Sequence, residues 1–162
     1  MWVEVPQEII ELLRDFYFKK SEKKMVADKV HSSVLWPFFL SKGTDEGILL
    51  TKLNEIIINP LEARLSRLRV LVQRNKKILS VEIEPIAGFK DIFNKVLLAF
   101  KDRISFDESV FPEGIVPEFL PHISIDYDFD GDLSKWGGEC SEELSRCEFR
   151  VEKIGLYREE GE

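Results

Sequence analysis

Between Leu79 and Phe100 the apolar residues change their period, and a chain that does this is neither all-helical nor all-strand. Leu79, Val81 and Ile83 alternate with polar residues, the period-two pattern of a strand with one buried face. Phe89, Ile92, Phe93, Val96, Leu97 and Phe100 then recur at i, i+3, i+4, i+7, i+8 and i+11, one stripe of a helix. The remaining elements fall around this pair. Trp2 to Val5 reads as a short strand, and Pro6 opens a helix through about Lys19, because proline suits the first helical turn. Val30 to Trp36 reads as a strand stopped by Pro37. Thr44-Asp45-Glu46 signals the start of a helix carrying Ile48 to Ile57, which Pro60 breaks. Leu61 to Gln73 and Lys77 to Glu84 form a hairpin around Arg74-Asn75-Lys76. Strands follow at His122 to Tyr127 and Phe149 to Tyr157, with a loop from Asp128 to Gly138 between them. This mixed order predicts an α+β fold, and 162 residues suffice for a single domain spanning 1–162.

Charge narrows the partners. The net charge is −7, so a broad electrostatic grip on long nucleic acid is not expected. The densest positive run, Arg64, Arg67, Arg69, Arg74, Lys76 and Lys77, reads as a solvated strand and turn. Apolar stretches are short and interrupted by charges, so no membrane span is expected. Met1 runs straight into Trp2-Val3-Glu4-Val5 without the regions of a secretory signal, and a cytoplasmic monomer is expected. Cys140 and Cys147 have no metal spacing. On a helical turn their thiols would lie roughly 10 Å apart, too far to bridge, so two reduced thiols are expected.

Only two histidines occur, and they share a context. One stands in Val30-His31-Ser32-Ser33-Val34, the other in Pro121-His122-Ile123-Ser124-Ile125. A hydroxyl at +2 of both histidines would arise by chance on the order of once in a hundred sequences. On a strand, residues i and i+2 point to one face, about 7 Å apart. His31 with Ser33, and His122 with Ser124, are therefore each expected on a common front. Val34 and Trp36 fall behind the first strand, and Ile123, Ile125 and Tyr127 behind the second, as core residues. Asp126 is expected on the front beside Ser124. Two strands side by side would then present two imidazoles and two hydroxyls together. That set suits phosphodiester chemistry without a metal. Imidazoles remove and deliver protons near neutral pH, and hydroxyls donate to the non-bridging oxygens where charge accumulates.

At these residues the chain resembles the two-histidine (2H) phosphoesterase superfamily, in particular its 2′-5′ RNA ligase-like and cyclic nucleotide phosphodiesterase members. That family carries two His-x-Ser/Thr motifs, one in each half of a bilobed fold, each usually followed by an apolar residue. Its second motif is often preceded by Pro, as in Pro121-His122-Ile123-Ser124-Ile125, and its first often runs into an aromatic and Pro-Phe, as in Trp36-Pro37-Phe38. The separation of 91 residues (122 − 31) is usual for the family. The resemblance spans nearly the whole chain, but only the two short motifs are specific. It implies that His31 and His122 are catalytic and that Ser33 and Ser124 hold the phosphate. It also implies two pseudo-symmetric lobes, with two antiparallel β-sheets forming a central cleft and helices packed on the outside. The implied activity is hydrolysis of 2′,3′-cyclic phosphates, on RNA ends or small nucleotides, or of 2′-5′ linkages, with no cofactor. Three features depart from the pattern: Ser replaces the commoner Thr in both motifs, Ser32 fills a position that is often apolar, and Asp126 follows Ser124.

Two competing readings use the same residues. A binding module would capture an RNA end or nucleotide phosphate in the cleft without chemistry. An interaction protein would keep the motifs as relics. Neither the natural substrate nor the division of acid and base between His31 and His122 is legible from the residues, although His122 as base and His31 as acid is the working assignment.

Overall fold

The computed structural model describes residues 1–25, 30–35, 38–73, 75–106, 118–136 and 142–156. Strand β1 (Trp2–Glu4) leads past Pro6 into helix α1 (Gln7–Ser21), which buries Ile9, Leu13, Phe16 and Tyr17. Short strands β2 (His31–Ser33) and β3 (Phe38–Leu40) follow. Helix α2 (Glu46–Glu55) starts where the Asp45 carboxylate accepts from the Ile48 amide at 2.9 Å, occupying one of the amides that a helix start leaves unpaired. Strands β4 (Leu61–Gln73) and β5 (Lys76–Glu84) form the expected hairpin, with Asn75 at φ 63° in the left-handed region of its turn. Helix α3 (Ile86–Phe100) buries Phe89, Ile92, Phe93, Val96 and Phe100 of the stripe. Then come β6 (Ile104–Phe106), β7 (His122–Asp126), a 3₁₀ turn at Leu133–Trp136, a short helix α4 (Glu142–Ser145), β8 (Glu148–Val151) and β9 (Ile154–Gly155).

The α+β class holds. The sheets are one large antiparallel sheet, in the order β8-β4-β5-β7-β2-β1-β9, and a small one of β3 and β6. The pair β3 and β6 was not foreseen, and neither was the split of the last strand. Phe149 to Tyr157 was expected as one strand. Instead β8 pairs with β4 at one edge of the large sheet, while β9 pairs with β1 at the other. Only Glu152 and Lys153 separate the two pieces. Three peptide steps span at most about 11 Å, so the two edges are drawn together and the sheet curls.

Alternation gives the large sheet two unlike faces. Its back is apolar: Val3, Leu65, Leu68, Val81, Ile83 and Ile123 are fully buried there. Helices cover that side. The α1 residue Tyr17 hydrogen-bonds Asp126 behind β7, and α3 runs so close to β4 that a Cβ at Gly88 would lie 2.6 Å from a Leu61 methyl. Helix α2 packs against α3. Among the described residues no helix is long and apolar enough to cross a membrane.

Candidate active site

The register between β2 and β7 decides the site. These strands are antiparallel neighbours, and Ser32 pairs with Ile123. Ser32 and Ile123 are both fully buried, on the back. Continuing the register one residue each way sets His31 opposite Ser124 and Ser33 opposite His122, all four on the front and all four partly exposed. Each imidazole thus faces a hydroxyl across the seam, and the two imidazoles occupy diagonal corners. Diagonal neighbours across an antiparallel pair stand about 7–8 Å apart at their Cα atoms, which leaves room for one tetrahedral anion between two rings.

The neighbouring strands extend this square into two rows. Glu4 pairs with His31 and Trp2 with Ser33 on one side; Ser80 pairs with Ser124 and Glu82 with His122 on the other. Arg69 pairs with Ser80; a register shift lies between Leu65 and Leu68, and Arg67, within it, contacts the Glu82 carboxylate. One row therefore reads Arg69, Ser80, Ser124, His31, Glu4. The second reads Glu82, His122, Ser33, Trp2, with the Arg67 side chain against Glu82. The indole of Trp2 lies 4.8 Å from the His31 ring, tilted by 37°. Space for it comes from Gly155, where a Cβ would stand 2.7 Å from the indole nitrogen.

His122 is held in a defined state. Its Nδ1 lies 2.7 Å from the Leu120 carbonyl oxygen, which only accepts, so Nδ1 carries the proton. In the neutral ring Nε2 then keeps its lone pair. Burial pushes the His122 pKa below the ordinary value of 6.5, against smaller upward contributions from the Leu120 carbonyl and the Glu82 charge. A neutral imidazole with a free Nε2 at neutral pH is suited to accept a proton. Glu82 itself is 2% exposed, and the Nε atoms of both Arg67 and Arg69 contact its carboxylate.

Two sequence expectations are corrected. Asp126 is not on the front. A bulge in β7 separates the pair Ser80–Ser124 from the pair Leu79–Asp126, and the extra residue turns Asp126 to the back. There it is buried, accepts from the Tyr17 hydroxyl at 2.5 Å, and accepts from the Asp128 amide at 3.0 Å. The same shift ends the strand early and leaves Tyr127 45% exposed rather than in the core. Trp36, expected behind the site, and Cys140 lie outside the described residues; Cys147 is a free thiol, partly buried.

Sequence reasoning missed Trp2, Ser80, Glu82, Arg67 and Arg69. Ser80 and Glu82 showed only as the polar positions of an alternating strand, which ordinarily mark a solvated face. Arg67 and Arg69 were read as part of a solvated run, yet both are paired with a buried carboxylate. Among the described residues no three His, Cys, Asp or Glu side chains gather as a metal ion would require. No protein-family model, no curated protein and no solved structure matches this chain.

Proposed function

We propose that this chain is a phosphodiesterase that opens 2′,3′-cyclic phosphates, on RNA ends or small nucleotides, or cleaves 2′-5′ phosphodiester bonds, by acid/base catalysis between His31 and His122 without a metal. The observation that carries the reading is the antiparallel register of β2 and β7, which sets two His-x-Ser motifs 91 residues apart on one face. The two-lobed reading belongs with it: β8-β4-β5-β7 and β2-β1-β9 are halves of the large sheet, each bearing one motif, and they meet at a single registered pair.

In this reading a phosphate sits over the square, and the hydroxyls of Ser33 and Ser124 donate to its non-bridging oxygens. Water attacks phosphorus and passes its proton to Nε2 of His122. The bond from phosphorus to the departing ribose oxygen breaks, and that oxygen takes a proton from the His31 imidazolium. Diagonal placement of the rings suits a displacement in which the attacking and leaving oxygens lie on opposite sides of phosphorus. The tautomer and lowered pKa of His122 favour it as the base.

The test is turnover of a 2′,3′-cyclic nucleotide in the presence of EDTA. His31→Ala and His122→Ala are each expected to lower kcat/KM by about 10²–10⁴-fold. Because the base must be unprotonated, activity falls as pH drops, with the midpoint of that limb below 6.5. Binding of the nucleotide with no product would replace this reading by the phosphate-binding module. Undiminished turnover in His122→Ala would end it.

A further inference from the structure

We infer that Trp2 is a positioning residue that acts through His31: its indole face keeps that imidazole protonated, so that His31 enters the reaction as the acid and His122 as the base. The inference deepens the phosphodiesterase reading and rests on it for the destination of the proton. In that reaction the His31 proton passes to the departing ribose oxygen as the bond between that oxygen and phosphorus breaks, and a neutral imidazole is left.

The register of β1 brings the two rings together. Trp2 pairs with Ser33 and Glu4 with His31, so Trp2 and His31 are diagonal neighbours on the front, a separation that aromatic side chains bridge. Their centroids lie 4.8 Å apart, and the rings are nearer parallel than perpendicular, at 37°. An aromatic ring is negative over its face, and a cation within about 6 Å of the centroid is attracted to it, most strongly by tryptophan. The contact therefore favours imidazolium over the neutral ring. Both residues are half-buried, which weakens the competition from water. On its other side β1 pairs with β9, where Gly155 stands opposite Trp2. A Cβ there would lie 2.7 Å from the indole nitrogen, so the bare backbone of Gly155 makes room for the indole in this position.

The surroundings of the two imidazoles differ in the sense that the reaction needs. Strands β1 and β7 flank β2. From β1, His31 faces Glu4, an exposed carboxylate whose charge also favours imidazolium but is screened by water and salt. From β7 it faces the uncharged Ser124, with His122 on the diagonal. His122 is driven the other way. Burial pushes its pKa below 6.5, and its Nδ1 proton is committed to the Leu120 carbonyl. A neutral His122 does not oppose the charge on its neighbour. Two like motifs thus carry unlike rings, one against an indole face and one buried and neutral.

Only two histidines are present, so proton NMR reads the titration of each imidazole, with the His31 resonance identified by its loss in His31→Ala. In Trp2→Leu, His31 is expected to release its proton at lower pH than in the unaltered protein. The alkaline limb of kcat/KM for a 2′,3′-cyclic nucleotide is expected to move with it, so that turnover on that limb falls about threefold. Trp2→Phe keeps a smaller ring and should restore part of the shift. Labelling with 5-fluorotryptophan keeps the test decisive even if Trp2→Leu fails to fold, because fluorine draws charge from the indole face and leaves its shape nearly unchanged. In the labelled protein His31 should again deprotonate at lower pH, and the label should have no such effect in Trp2→Phe. A His31 titration indifferent to the label overturns the inference, as does a label effect that persists in Trp2→Phe. A loss of kcat/KM by one factor at every pH would give Trp2 a packing role and overturn it too. A titration that follows the indole without turnover of cyclic nucleotides supports the contact and defeats only the catalytic reading. Turnover with an indifferent titration defeats only the role of Trp2.

Discussion

Ser32 sits between a catalytic candidate and a phosphate-holding one, yet it belongs to the other side of the sheet. It is fully buried among apolar neighbours, and its hydroxyl has no hydrogen-bond partner among the described residues. A buried hydroxyl left unpaired forfeits the bonds it made to water. Ser32→Ala is therefore expected to raise the free energy of unfolding by about 1 kcal/mol. Denaturant melts check this, and a loss of stability would show that the hydroxyl is satisfied in solution. The placement of Ser32, and of His31 and Ser33 around it, was legible from the chain, because side-chain alternation depends only on a residue's neighbours in sequence. The roles of Ser80, Glu82, Arg67 and Arg69 were not. Their position beside the histidines comes from strands paired across the sheet, and nothing within Leu79-Ser80-Val81-Glu82 distinguishes a buried polar face from a wet one.

At the scale of elements, the β7 bulge and helix α1 work together. The bulge delivers Asp126 to the back, and α1 supplies the Tyr17 hydroxyl that meets it. Tyr17→Phe would leave a buried carboxylate without that donor, and a loss of about 1–3 kcal/mol is expected. The same contact sets an alkaline limit. Burial, and then the hydrogen bond to Asp126 and its charge, push the Tyr17 pKa from 10.0 up to about 12. The folded state thus favours the protonated phenol. Its contribution is complete below pH 10, declines as the unfolded chain ionises first, and is gone once pH has risen through about 12. Urea melts across this range should show that decline, and Tyr17→Phe should flatten it. An unchanged slope in the variant would assign the decline to other groups. The helices and the hairpin were readable from periodicity and turn residues. The bulge was not, since one extra residue in a strand leaves the apolar pattern of Ile123 and Ile125 intact while turning everything after it.

For the whole molecule, the sheet's order sets where stability concentrates. Strand β5 is central, paired with both β4 and β7, and its residues Ile78 to Ile83 are buried on both faces. Strand β9 is two residues long, at an edge, and partly exposed. Native-state hydrogen exchange is expected to be slowest at the β5 amides and orders of magnitude faster at Ile154 and Gly155. Comparable protection at both would mean that the curled edges close more tightly than their pairing indicates. The ends of the sheet matter to the candidate site, because β9 supplies the glycine beside which the Trp2 indole lies.

From residue order alone came the α+β class, the helices and their buried stripes, the hairpin, and the front-and-back assignment of the two motifs. Each of these is written in short-range patterns, where the period of apolar residues and the conformational limits of proline and turn residues act over a few positions. Folding in three dimensions supplied the rest: that β2 lies against β7, that a bulge moves Asp126 away, that β8 and β9 part to opposite edges, and that an arginine and a buried glutamate stand in the histidines' rows. These depend on hydrogen bonds between segments tens of residues apart, and the pairing that wins is the one that buries every apolar back face at once.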